Sequence, residues 1–381
     1  MKRKICVWSG KRGGFGALKP TMNAIQSHPN LELDVVVTDQ HLYNKFGKTI
    51  TEVEDSFPIS DSIDMEQKGD SNEDRAKAIG KCLIEATNTL SQLKPDILLV
   101  IGDRGEVFAA CIAAHNMRIP IAHIQGGDLS GSLDEPVRHA ITKLAHIHLA
   151  STKASANRIR KMGEDPWRIH IVGDTHIDQF FLNAITPEKE LRERYKINQK
   201  HPFILVLQHS DSTEPQNSSS QMKETIIAVT KLGIKALFVY PCSDQGYEGI
   251  IGELEKLKGT KNFSIFKNIP AQDFMGLQKL ASCLVGNSSA GIIEAPYFNL
   301  PAVNIGNRQL GRERAGNVID VDYDNIKISN AILKAMNDKS FRKNLKNVRP
   351  PYGNGESYKK ITKILASIIC DDFLLNKRMT Y

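Results

Sequence analysis

Between Gly102 and His148 the chain reads GDRGEVFAACIAAHNMRIPIAHIQGGDLSGSLDEPVRHAITKLAHIH, gathering acids, arginines and histidines around one glycine-rich turn. The turn follows the apolar run from Asp96 to Ile101, which reads as a buried parallel strand, and precedes a helical pattern through Val107, Ala110, Cys111, Ala114 and Met117. Asp103 and Arg104 therefore stand at a strand's carboxyl end, the edge at which open α/β sheets bind ligands. Ile119 to Ile124 reads as the next strand, and Gln125-Gly126-Gly127-Asp128 as the loop beyond it on the same edge. A helix is expected from about Asp134, with Pro136 tolerated in its first turn and Val137, Ile141 and Leu144 as its apolar stripe. Asp134 and Arg138, like Glu135 and His139, are spaced to be neighbours on that helix. Taken singly, each carboxylate reads as a surface ion pair or a cap. Together, three segments bring charge to one edge, a convergence that structural ion pairs do not need.

Further along the chain, other segments suit an anionic ligand. Ser9-Gly10-Lys11-Arg12-Gly13-Gly14-Phe15-Gly16 follows the first strand and opens a helix, so its amides and Arg12 could face an anion. Its glycine spacing is not that of a dinucleotide-binding fingerprint. Gly286-Asn287-Ser288-Ser289-Ala290-Gly291 repeats the strand-to-helix placement, and its hydroxyls and amides suit either phosphate or simple capping. Glu294, a turn on, could accept from ribose hydroxyls. Arg308, Arg312 and Arg314 follow the next strand with forks that match phosphate oxygens, and Glu313 could pair with one of them. His209 ends a strand, where a histidine can protonate a leaving group. The group Asp174, His176 and Asp178 reads as a turn leading into a helix rather than a metal site, because its spacing matches no selective ligand pattern.

The elements that must position these residues come from a chain of 381 residues, 41% hydrophobic and 24% charged, which suits a globular protein of two or three domains. No apolar run approaches the ~20 residues of a membrane span. The basic start, Met1 to Lys4, is followed by too short an apolar stretch for a signal peptide and reads as a first strand. Six cysteines without CxxC spacing indicate neither zinc nor a disulfide framework and fit a reducing cytoplasm. The net charge of +7 is spread without a basic, aromatic-laced run, so a polyanionic small substrate explains it better than nucleic acid does.

Strand and helix patterns alternate, as in parallel sheets covered by helices. The first series has strands at residues 4–9, 33–38, 96–102, 119–124, 147–150 and 168–172, with a long helix at 73–93. Residues 183–202 are charged and read as a short helix in an interdomain connection. The second series has strands near 203–208, 236–240, 263–266, 283–286 and 302–305, and a polar loop, SDSTEPQNSSSQ, after His209. Residues 326–374 read as helical, interrupted at Val348 to Gly353. The expected domains are residues 1–185 and 186–381, with the C-terminal helices able to pack back on the first.

Five ordered motifs carry a resemblance over nearly the whole chain: GDR at 102–104, HIQGGDLSGSLDEPVRHAITKLAHIH, the LQH ending in His209, GNSSAGIIEAP, and NIGNRQLGRERAGNVIDV. The chain resembles the UDP-N-acetylglucosamine 2-epimerases, specifically the hydrolysing branch that supplies N-acetylmannosamine-type sugars for sialic-acid-like products. The resemblance implies an α/β fold of two Rossmann-like domains facing a central cleft, the GT-B or glycogen-phosphorylase-like type. It implies that Asp103 and Asp134 move protons at the sugar, with Arg104 and Arg138 as charged neighbours and His209 at the diphosphate. The implied substrate-binding set is Arg12, Asp128, Glu135, Asp244, Gly286, Asn287, Ser288, Ser289, Glu294 and Arg308. Two departures stand out: Gln125 where the family often has glutamate, and Gly14 where an acid is usual. The implied chemistry uses no metal or redox cofactor, and the implied partners are a UDP-sugar and further copies of the chain, as homodimer or homotetramer. The same residues leave room for a non-hydrolysing epimerase, a glycosyltransferase on this fold, or a UDP-sugar-binding protein without turnover.

Overall fold

The structure, a computed structural model, describes residues 2–44, 47–69, 71–131, 134–182, 185–242 and 244–380, and of Arg12 and Asp134 only the backbone. The chain forms two compact units, one of Met1–Leu129, Leu133–Leu182 and Tyr352–Tyr381, the other of Ser130–Ser132 and Asn183–Pro351.

The first unit is a seven-stranded parallel sheet: β1 (Arg3–Ser9), β2 (Leu31–Thr38), β3 (Asp61–Ile63), β4 (Ile97–Ile101), β5 (Ile121–Ile124), β6 (Ile147–Ala150) and β7 (Ile169–Ile171), in the order β3-β2-β1-β4-β5-β6-β7. The order reverses between β1 and β4, where Ile5 pairs with Ile97 and Val7 with Leu99. Strands buried on both faces need apolar residues at successive positions, which explains the ILLVI run of β4. Ile5 and Val7 of β1 join one core, with Leu18, Met22 and Leu365, while Cys6 and Trp8 join the other, with Cys82, Ala110 and Ile121. Helices therefore cover both faces.

The second unit holds β8 (Phe203–Leu207), β9 (Lys235–Val239), β10 (Phe263–Phe266), β11 (Cys283–Gly286), β12 (Ala302–Ile305) and β13 (Val318–Val321), ordered β10-β9-β8-β11-β12-β13 and again all parallel. Here the reversal lies between β8 and β11.

Several expectations need correction. The edge strands β3 and β13 were not anticipated, because each is short and only partly buried and so lacks an apolar run. The charged segment 183–202 is not a mere connection: Leu191, Tyr195 and Ile197 are buried in a core of the second unit with Phe203 and Leu205. The last third of the polar loop after His209 is helical, since the helix Ser218–Leu232 begins inside it. The second unit ends at Pro351, short of the expected residue 381.

Residues 352–381 belong to the first unit, held by long-range bonds. Asp178 accepts from the backbone amides of Ser357 (2.9 Å) and Tyr358 (2.7 Å), at the start of the helix Ser357–Ser367. The buried Arg168 donates to the carbonyls of Leu374 (2.7 Å) and Phe373 (3.1 Å). Lys377 Nζ donates to Lys143 O (2.7 Å) and Ala145 O (2.8 Å), filling the carbonyl end of the helix Asp134–Leu144. It also pairs with the buried Glu164 at 2.8 Å.

Burial holds His41 and His148 at about 4, and His123 and His146 at about 3, below the ordinary histidine value of 6.5. Each then binds fewer protons folded than unfolded between pH 6.5 and its own value, so stability rises with pH across that window. Asp178, raised by burial to about 6 from 3.8, has the opposite sign between those two values, and the raised carboxyl of Asp39 has the same opposite sign, two carboxyls against four imidazoles. The urea midpoint is expected to fall as pH is lowered from 7 toward 4.5. A flat profile over that range would contradict the burial of the four rings.

Candidate active site

In the first unit, the reversal of strand order sets the turn after β1 beside the turn after β4, and the charged residues gather there. Gly102, with φ of 80°, turns the chain out of β4 and puts Asp103 at its carboxyl end. The guanidinium of Arg138 forms an ion pair with Asp103 and donates to Asp128 O at 2.8 Å, so one arginine ties the loop after β4 to the loop after β5. Asp128, itself buried, accepts from Ser155 Oγ at 2.5 Å. Gly127, with φ of 74°, leaves no room for a side chain because an added Cβ would meet Ser155 O. The fold pairs Arg138 with Asp103, a partner that the helical spacing does not disclose. The helix does begin at Asp134, whose side chain lies outside what is described. Glu135 and His139 stand 3.9 Å apart as their spacing requires, and burial lowers the His139 pKa.

Arg104 is buried in a network that the sequence did not disclose. Its guanidinium donates to Asp39 (3.2 Å) and Glu106 (3.4 Å), and Arg75 binds the same two carboxylates at 3.3 and 2.6 Å. Glu106 is completely buried, and Gly10 must be glycine because a Cβ there would enter the Glu106 side chain. Burial and the charge of Glu106 raise the Asp39 pKa; against burial, Arg104 and Arg75 keep Glu106 below the ordinary range. The one available signal was the proximity of Glu106 to Arg104. Asp39 and Arg75 carried none, since their partners lie far off in the chain.

Gln125 follows β5 in the left-handed region, φ 65°, uncommon without glycine. Its Nε2 donates to Asp174 Oδ2 at 2.9 Å and lies 3.2 Å from His176 Nδ1. Asp174 is fully buried and also accepts from the backbone and the ring of His176, at 2.9 and 2.8 Å. Asp174 and His176 open the helix Thr175–Leu182, as read from the sequence. Among the described residues, no three His, Cys, Asp or Glu side chains form a group that could hold a metal ion.

In the second unit, His209 follows β8 and Asn287 follows β11, on the two sides of the other reversal. The Asn287 side chain clasps the His209 backbone, accepting from its N–H at 2.7 Å and donating to its carbonyl at 2.9 Å. Cys242 N–H donates to His209 Nδ1 at 3.0 Å, so the neutral ring carries its proton on Nε2. Gly286, with φ of 132°, is required by the backbone, since a Cβ would strike Leu207 O. Arg308 pairs with Asp244 at 2.9 Å, and Gln309 Nε2 donates to Asn287 O at 3.0 Å. The helix expected after Ser288 and Ser289 is only Ala290–Ile293, with Ser288 Oγ accepting from Ala290 N at 3.3 Å. Glu294 accepts from Gln278 Nε2 at 2.8 Å, and Arg314 pairs with Asp320. The turn bearing Arg12 is largely helix, Arg12–Ser27, so Gly13, Gly14 and Gly16 lie within it; the Arg12 side chain is outside what is described.

Two parallel α/β units, each with polar and charged side chains at its strand-order reversal, define a Rossmann-like protein built to hold ligands at sheet edges. The family description UDP-N-acetylglucosamine 2-epimerase matches residues 23–366, and the chain belongs to that family. It is 32% identical to a UDP-N,N'-diacetylbacillosamine 2-epimerase (hydrolyzing) of Legionella pneumophila over the full length of both chains. It is 33% identical to a UDP-N-acetylglucosamine 2-epimerase of Neisseria meningitidis, covering 88% of each chain. In fold it is similar to the Methanocaldococcus jannaschii UDP-GlcNAc 2-epimerase solved with UDP-GlcNAc and UDP, with a TM-score of 0.82 at 22% identity, covering 95% of this chain and 99% of that one.

Replacing Asn287 by Asp keeps the acceptor for His209 N–H but removes the donor to the His209 carbonyl. A buried carbonyl left unpaired costs about 1–3 kcal/mol. Asn287→Asp is therefore expected to lower the urea midpoint of the second unit's unfolding by that equivalent. An unchanged midpoint would mean that the clasp contributes nothing to stability.

Proposed function

We propose that the chain is a hydrolysing 2-epimerase of UDP-2-acetamido sugars, converting a UDP-N-acetylglucosamine-type substrate and water into UDP and a free N-acetylmannosamine-type sugar. The observation that carries this is Asp103, standing at the strand-order reversal and held by the Arg138 fork. Full-length similarity to the Legionella pneumophila enzyme supports the hydrolytic outcome and a diacetylated trideoxy sugar as a candidate substrate beside N-acetylglucosamine.

The chemistry follows from the weak acidity of the sugar C2–H, which has no adjacent carbonyl. UDP leaves first, with His209 Nε2–H and the Arg308 guanidinium stabilising the departing diphosphate. The cationic C1 then acidifies C2, and Asp103 takes the proton, leaving a 2-acetamidoglucal. Water adds at C1 while Asp134 returns a proton to C2 from the other face. Arg104, fastened by Asp39 and Glu106, keeps the Asp103 turn in place, and Gln125 orients Asp174. In this reading the substrate-binding residues are Arg12, Asp128 and Glu135 of the first unit, and Asp244, Gly286, Asn287, Ser288, Ser289 and Glu294 of the second. The working form in this reading is a cytoplasmic homodimer or homotetramer, for which light scattering gives the mass directly.

Incubation with UDP-N-acetylglucosamine and UDP-N,N'-diacetylbacillosamine is expected to release UDP and a free 2-epimerised sugar, identified by mass spectrometry. A sugar that stays on UDP would place the chain with the non-hydrolysing epimerases. Asp103→Asn is expected to lower turnover by about 10²–10⁴-fold without loss of fold. Tight UDP binding with no reaction, unchanged in Asp103→Asn, would instead identify a binding protein.

A further inference from the structure

Hydrolysis at C1 with inversion at C2 asks for three proton movements. One proton leaves C2, one returns to C2 from the opposite face, and one leaves the water that enters at C1. In the hydrolysing reading above, on which this inference rests, Asp103 and Asp134 serve the first two. The third requires a base, and the Gln125 amide, at the end of β5, cannot be one.

A titratable pair stands directly against Gln125. The buried Asp174 carboxylate holds the His176 ring with Oδ1 at 2.8 Å from Nδ1 and fixes its backbone through a second bond of 2.9 Å. The Gln125 amide occupies the other carboxylate oxygen at 2.9 Å. A glutamate at position 125 would set a second carboxylate against this buried one; the amide instead supplies the donor that an ionised Asp174 needs. With the Nδ1 proton directed at Asp174, the lone pair of the neutral ring lies on Nε2, the tautomer that accepts a proton. Gln125 Nε2 lies 3.2 Å from Nδ1 because both donors share one carboxylate.

The pair is also well placed. Asp174 is fully buried while the His176 side chain is 28% exposed, so the ring reaches from the carboxylate toward the surface at the sheet's carboxyl edge. Gln125 Oε1 would be 3.9 Å from a Cβ at Gly102, the residue before Asp103, so the three-residue cluster adjoins the turn that carries the proposed sugar-side base. Carboxylate, imidazole and water is a division of labour in which the carboxylate orients the ring and stabilises the imidazolium.

We propose that His176, oriented by Asp174 and Gln125, is the base that deprotonates the water entering at C1. In this step Nε2 takes one water proton as the water oxygen bonds C1. The C1=C2 electron pair of the glucal takes the proton of the Asp134 carboxylic acid onto C2. Carboxylate and imidazolium are left, and solvent restores both protonation states.

The test measures UDP and free sugar separately in the same reaction. In His176→Ala, UDP release is expected to continue for the first turnovers while 2-acetamidoglucal accumulates. Free-sugar formation is expected to fall by about 10²-fold or more, and added imidazole to restore part of it. Should His176→Ala fail to fold, judged by circular dichroism, His176→Gln carries the same readout. A folded variant in which UDP and free sugar fall in equal proportion without glucal, or in which free sugar is unchanged, overturns the assignment. Failure of the parent reading is seen separately, in the wild-type protein, as a sugar that remains on UDP.

Discussion

A parallel sheet whose strand order turns back beside its first strand sends the connections after two neighbouring strands to opposite faces, and the carboxyl ends of those strands are left open between them. Both units are built on this constraint, at β1 and β4 in one and at β8 and β11 in the other. The polar and charged side chains of each unit's candidate site are arranged around it. In the first unit the opening is bordered by Gly10 and by Gly102 with Asp103; in the second it is bordered by His209 and Asn287. What distinguishes the units is how the opening is held. Arg138 crosses from one loop to the next as a charged fork, whereas Asn287 joins the two strand ends with a neutral amide.

The first unit keeps charge where burial makes charge costly. Glu106 has no exposure at all, and Asp39 and Arg104 have almost none. Removing one member of such a group leaves an uncompensated buried charge, while replacing the whole group by apolar packing is often neutral for stability. Stability alone therefore does not explain the two carboxylates and two arginines. Their effect is directional: the planar fork of Arg104 is held from two sides, and so is the turn containing Asp103. Asp174 follows the same logic on a smaller scale, with three hydrogen bonds converging on one buried carboxylate.

Much of the architecture was legible because long apolar runs at strand period and helix period occur wherever an element is buried on both faces or on one stripe. The strands from β4 to β6, and β8, β9, β11 and β12, have such runs. The elements that were missed are those the core barely reaches. β3 is three residues and β13 four, each lying at a sheet edge with few buried positions. The helix Glu188–Arg194 misled in the opposite way: its charges suggested a linker, yet Leu191, with Tyr195 and Ile197 just beyond the helix, seats the segment in a core.

By itself the sequence determined the α/β alternation, the residues that stand at strand ends, and the five motifs that carry the family. Period-based reading sees only neighbours three or four residues apart on a helix, or two apart on a strand. It could therefore pair Arg138 with Asp134 but not with Asp103, and could note Gln125 as a departure without finding Asp174 behind it. Those partners were decided by strand order, which brings the ends of β4, β5 and β7 to one edge of the sheet. Only when the sheet is assembled do charges so far apart in the chain come within hydrogen-bonding distance, and the same burial that excludes water then makes each such pairing obligatory.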